Sequence, residues 1–117
     1  MSSLVDEQGK VICHKLAVAR SARTRMKGLL GRRSLEPDEG LLLRPAGSVH
    51  TAFMHFPIDV VFLDRSMRVL RIAPKLRPWR IVGQRGARIV VELDAGAAER
   101  NGISPGAQLR LEDGAAA

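Results

Sequence analysis

Short extended segments, set apart by turn residues, constrain the fold of this chain more than any other feature. Lys10 to Ala19 reads as a first strand: Val11, Cys13, Lys15 and Ala17 alternate with Ile12, His14, Leu16 and Val18. Leu41 to Arg44 is a brief apolar strand, and Pro45-Ala46-Gly47 turns the chain into another over Ser48 to Met54. A break at His55 to Pro57 precedes a strand from Ile58 to Leu63. Asp64-Arg65-Ser66 reads as a hairpin loop, after which Met67 to Ala73 returns antiparallel. Pro74 to Gly86 reads as a loop. Ala87 to Leu93 and Gln108 to Leu111 complete about seven strands.

Helical signals occur at two places. Ser21 is placed to cap a helix whose Ala22, Met26, Leu29 and Leu30 form one stripe, with Gly31 as its stop. Ala95 to Asn101 is a second short helix, with Gly96 and Glu99 at the spacing of a weak capping box and Gly102 closing it. Ser104-Pro105-Gly106 is a type II turn signal. Without regular βαβ alternation, this pattern predicts a mostly β (α+β) fold. We expect a small antiparallel β-sandwich or partly open barrel, jelly-roll-like, with two short peripheral helices. Residues 1–117 are expected to form a single domain, with a disordered tail over 112–117.

Composition narrows the functional classes. Hydrophobic residues make up 45% and aromatics only 3%, so the core has to be aliphatic. No apolar run approaches the roughly 20 residues of a membrane span. The polar stretch from Met1 to Lys10 lacks a secretory pattern, so a cytoplasmic location is expected. The lone Cys13 excludes an internal disulfide and a multi-cysteine metal site, and reads as a small buried apolar residue. The net charge of +7 is unevenly spread. Segment 20–33 holds six basic residues and segment 65–88 holds eight, and neither contains an acid. Such segments attract polyanions, which makes nonspecific nucleic-acid binding one alternative reading.

Residues 50–64 concentrate the chemistry. They hold two of the three histidines, all three phenylalanines, and Asp59 inside the most apolar run. His50, His55, Asp59 and Asp64 are ligand types for a divalent metal, but at no diagnostic spacing. His50 and His55 also have opposite strand parity. Asp59 has three readings: an anchor for loop N–H groups, an ion-pair partner for Arg80, or a general acid/base. Register decides between them. With residues 54 and 58 facing across a tight turn, His50, Ala52 and Met54 share a face with Ile58, Val60 and Phe62, and Asp59 lies on the other. A one-residue slip brings His50 and Asp59 together. Trp79, the sole tryptophan, lies between Arg77 and Arg80 in the long loop and suits stacking or a hot-spot contact.

Four ordered blocks carry a family resemblance: Thr24 to Leu35 (TRMKGLLGRRSL), His50 to Asp64 (HTAFMHFPIDVVFLD), Leu76 to Arg80 (LRPWR) and Val91 to Gly106 (VELDAGAAERNGISPG). Together they resemble the uncharacterised prokaryotic family known as domain of unknown function 192, of UPF0127 type. The resemblance implies a small jelly-roll-like sandwich with peripheral helices and no established activity. His50-Thr51, Met54, Phe56-Pro57-Ile58-Asp59 and Pro78-Trp79-Arg80 match the family pattern. His55 stands where Arg or Lys is usual, which weakens any scheme that uses it as a metal ligand.

No complete catalytic motif is present, so we expect a non-enzymatic binding or accessory domain. Its candidate pocket comprises His50, Thr51, Met54, Asp59, Trp79 and Arg80, with a polar or anionic small molecule as ligand and no cofactor or metal. The alternatives are a metal-assisted or acid/base enzyme using His50 and Asp59, and polyanion binding through segments 20–33 and 65–88.

Overall fold

A computed structural model describes residues 2–20, 34–52 and 54–113. Among these, nine strands and one short helix follow in order: β1 Ser2–Asp6, β2 Val11–Ala19, β3 Glu39–Leu43, β4 Ser48–His50, β5 Ile58–Leu63, β6 Val69–Leu76, β7 Ile81–Gly83, β8 Ile89–Asp94, α1 Ala97–Arg100 and β9 Leu109–Asp113. No helix among them is long and apolar enough to cross a membrane.

Seven strands form one sheet in the order β6-β5-β8-β3-β2-β1-β9, and β4 and β7 form a separate two-stranded ribbon. The large sheet curls until its two edges meet. Arg68 at the start of β6 bridges Gln108 at the start of β9. The Val69 and Leu109 amides donate to the Ala107 and Met67 carbonyls at 2.8 and 3.0 Å. The result is mostly β and closest to a partly open barrel.

Strand alternation divides the apolar residues into two cores. Leu4, Cys13, Leu16, Leu42, Val61, Val91 and Leu109 pack inside the curl. Leu41, Leu43, Val49, Met54, Ile58, Val60, Phe62 and Val90 pack on its outer side, beneath the ribbon. β5 lies between the two, so all six of its residues are buried, and its sequence is an apolar run interrupted only by Asp59.

Several expectations are corrected. The strand expected over 48–54 ends at His50 and pairs with β7 rather than with β5. β7 itself comes from the segment read as a loop. β5 instead pairs with β6 and β8. The sheet is not wholly antiparallel: β2 and β3 run parallel, because the 20–38 connection is long enough for a crossover. An unforeseen β1 fits between β2 and β9. β9 runs to Asp113, so Glu112 and Asp113 belong to the sheet rather than to a disordered tail. The helix expected from Ser21 and the chain beyond Asp113 lie outside the described residues.

The C-terminal turn chemistry follows the sequence closely. The Ile103 and Gly102 amides donate to the Ala98 and Glu99 carbonyls at 2.9 and 3.1 Å, and Gly102 has φ 64°, which is the Schellman ending of α1. Ala107 N donates to Ser104 O with Gly106 at φ 93°, the type II turn.

Candidate functional site

Thr51 is the hub of the residues singled out above. It is fully buried just after β4. Its hydroxyl donates to Arg77 O at 2.6 Å and accepts from Arg80 N at 2.8 Å. Its own amide donates to Arg80 O at 2.8 Å, and its carbonyl accepts from Trp79 N at 3.0 Å and from Met54 N at 3.2 Å. The side chain and the backbone of one residue thus staple the loop before β7 to the segment after β4. The staple holds Trp79 at φ 64°, a left-handed conformation that bulky residues rarely adopt and that costs about 1–3 kcal/mol. Trp79 remains 62% exposed and Arg80 is exposed beside it.

His50 is the last residue of β4, opposite Ile81. Its Nδ1 is buried and has no hydrogen-bond partner among the described residues. A buried polar atom in that state costs free energy, which makes it a place where a bound group could stabilise the protein. Met54 is buried under this segment in the outer core.

Asp59 stands apart from these residues. It lies on β5 with the parity of Val61 and Leu63, which face the inner core, whereas Met54 packs with Val60 and Phe62 on the other side. Its Oδ1 accepts from Lys75 N at 2.9 Å and from Gly96 N at 3.0 Å, and its Oδ2 accepts from Ala98 N at 2.9 Å. The Lys75 donor is released by a bulge, where Pro74 and Lys75 both oppose Asp59 between the pairs Ile58–Leu76 and Val60–Ala73. The other two donors are orphan N–H groups at the start of α1, whose own N-cap, Gly96, has no side chain to serve them. Of the three readings of Asp59, the backbone anchor is the one with bonds in the structure.

The remaining acids of interest are also in local turns. Asp64 Oδ1 accepts from Ser66 N, Ser66 Oγ and Arg68 N at 2.9, 2.7 and 3.0 Å, closing the β5–β6 hairpin. These bonds, that from Arg68 N foremost, hold its carboxyl below the usual range. Asp38 is lowered in the same way, first by the His14 amide and then by the His14 ring at 2.8 Å. His55 is exposed. No group of three or more His, Cys, Asp or Glu residues among those described is arranged to hold a metal ion. Burial pushes the Cys13 thiol up to about 11, which makes it a poor nucleophile near neutral pH.

Two residues escaped the sequence reading. Ile81 is 83% exposed on β7. Its only sequence signal is an aliphatic residue directly after LRPWR. Glu92 is fully buried on β8, opposite Leu41 and Val60 in the ladders. A cleft of about 450 Å³ opens elsewhere, between Asp6–Gln8 and the 101–109 segment, and none of the six candidate residues lines it.

A family profile described as DUF192, "Uncharacterized ACR", matches residues 3–111. A UPF0127 protein of Thermococcus sibiricus is 33% identical; the match covers 76% of this chain but only 60% of the archaeal protein. Two solved structures are similar at TM-score 0.77 and 26% identity, each over 93% of this chain. One, from Sinorhizobium meliloti 1021, is described as a candidate transcription regulator and is covered over 90% of its length. The other, from Novosphingobium aromaticivorans DSM 12444, is a protein of unknown function covered over 82%.

Proposed function

The chain belongs to the DUF192 family of uncharacterised proteins, and from that premise we propose that it is a small non-enzymatic binding domain whose polar or anionic ligand meets the outer face of the β4–β7 ribbon. The reading rests on one observation: Thr51 holds the exposed Trp79 in a left-handed backbone conformation. Strain of that kind persists only where the surroundings over-determine it, and it gathers at recognition sites. A pre-set aromatic side chain also loses little entropy on binding. In this reading Trp79 and Arg80 contact the ligand, and His50 lies beside them at the end of β4. Thr51 and Met54 hold the site from beneath, and Asp59 supports it at a distance through Lys75.

Trp79 is the sole tryptophan and the chain has no tyrosine, so intrinsic fluorescence reports this site alone. Titration with inorganic pyrophosphate and with citrate is expected to give a saturable change in Trp79 emission that weakens in Arg80→Ala. A flat response to both anions, or one that Arg80→Ala leaves intact, overturns the reading.

A second reading has its own support. All eight basic side chains of segment 65–88 are exposed, and one structural neighbour is described as a candidate transcription regulator. Nonspecific duplex-DNA binding that falls steeply with salt, without a discrete site, favours it instead.

A further inference from the structure

A small ligand leaves one feature of the ribbon unexplained. Ile81 is 83% exposed, close in sequence to Trp79 at 62%. In the β4–β7 ladder Val82 lies opposite Val49, and both pack on the outer core. Alternation therefore turns Ile81 away from that core. A branched aliphatic side chain left this open contributes almost nothing to folding. The sequence on either side of it is cationic: Lys75, Arg77, Arg80 and Arg85 are all exposed, and no acid occurs between residues 65 and 88. The Thr51 bonds fix the backbone that presents Trp79, and the Arg71 guanidinium donates to Gly83 O at 3.1 Å at the far end of β7. An apolar tip, an aromatic ring at the interface and a cationic collar are what a peripheral protein needs at the surface of an anionic bilayer.

We propose that this face docks on an anionic lipid surface. Ile81 and Trp79 enter the headgroup boundary, while Lys75, Arg77 and Arg80 meet the lipid phosphates. The proposal rests on the binding-domain reading of the same ribbon and names its partner. Charge complementarity and the exposed aliphatic side chain select lipid over nucleic acid, because phosphate and base contacts leave Ile81 without a role.

The test follows Trp79 emission and co-sedimentation of the full chain with two kinds of vesicle: phosphatidylcholine alone, and phosphatidylcholine with phosphatidylglycerol in equal parts. Binding with a blue shift is expected only with the anionic vesicles. Ile81→Ser should weaken partitioning about tenfold, as the loss of one buried aliphatic side chain requires. Arg77→Gln should weaken it about fivefold, the effect of one cation near a charged surface. Both positions are exposed, so neither variant threatens folding. No binding to anionic vesicles overturns the proposal, as does binding that Ile81→Ser leaves unchanged. A response to pyrophosphate but not to vesicles defeats the lipid proposal and leaves the small-ligand reading standing. Silence to both defeats the two together. Duplex DNA shifting the emission equally in wild type and Ile81→Ser assigns the face to nucleic acid.

Discussion

Asp59 accepts hydrogen bonds from three backbone amides in two different parts of the chain, Lys75 on one side and Gly96 and Ala98 on the other. A single carboxylate thereby joins the β6 bulge to the start of α1. A buried donor that loses its acceptor costs about 1–3 kcal/mol; the Ala98 bond is buried and the other two are partly so, so Asp59→Ala should lower unfolding stability by about 2 kcal/mol or more. Asp59→Asn, which keeps one acceptor oxygen, should recover part of that loss. Urea denaturation of the two variants checks this, and equal stability of Asp59→Ala and wild type would contradict the anchor. The sequence marked Asp59 as special because an acid inside an apolar strand needs partners. It did not say which, because Lys75 and Ala98 lie 16 and 39 residues away. Thr51 was visible only as part of a motif. Its weight comes from loop carbonyls and amides 26 and 29 residues distant, and no local pattern encodes those. Ile81 passed unnoticed because an exposed apolar residue looks the same on paper as a buried one.

Elements were legible where their chemistry is local. Ile58 to Leu63 was recognised at its true limits because five apolar residues, with Asp59 among them, stand between a proline and a turn acid. Gly102 and the Ser104–Gly106 turn were readable because positive φ has few tolerant residues. β1 and β7 were not legible. β1 is five residues long and held by strands β2 and β9, and β7 is three residues long and includes Gly83. Pairing distant in sequence also displaced the expected β4–β5 hairpin. Gly40 on β3 illustrates how tightly these strands meet the interior. A Cβ at this position would stand 2.9 Å from Leu93 Cδ2, 3.0 Å from Leu16 Cδ1 and 3.2 Å from Cys13 Sγ. Three side chains of the inner core would have to move at once. Gly40→Ala should therefore destabilise the protein by about 1–3 kcal/mol, the usual cost of overpacking. Its melting temperature checks this, and an unchanged value would mean that the core gives way more easily than its packing implies.

For the whole molecule, acid is the stress to which these turns respond. Asp38 and Asp64 are both held below the ordinary 3.8 by hydrogen bonds to their carboxylates. The unfolded chain therefore takes up their protons at a higher pH than the native one. Their contribution is fully present above about pH 4 and is lost as pH falls through their native values. Unfolding midpoints measured downward from neutral pH should decline in acid, and the decline should be shallower in an Asp38→Asn, Asp64→Asn double variant. Since both groups lie at the surface, solvent keeps the effect modest. The large sheet has a separate consequence at its seam. Ser2 is paired with Asp113 across β1 and β9, and antiparallel partners lie about 5 Å apart. Whatever is attached before β1 and whatever is attached after β9 must leave the fold side by side. A label, a tether or a fused protein at either end would occupy the same doorway, and two partners added there at once would meet each other.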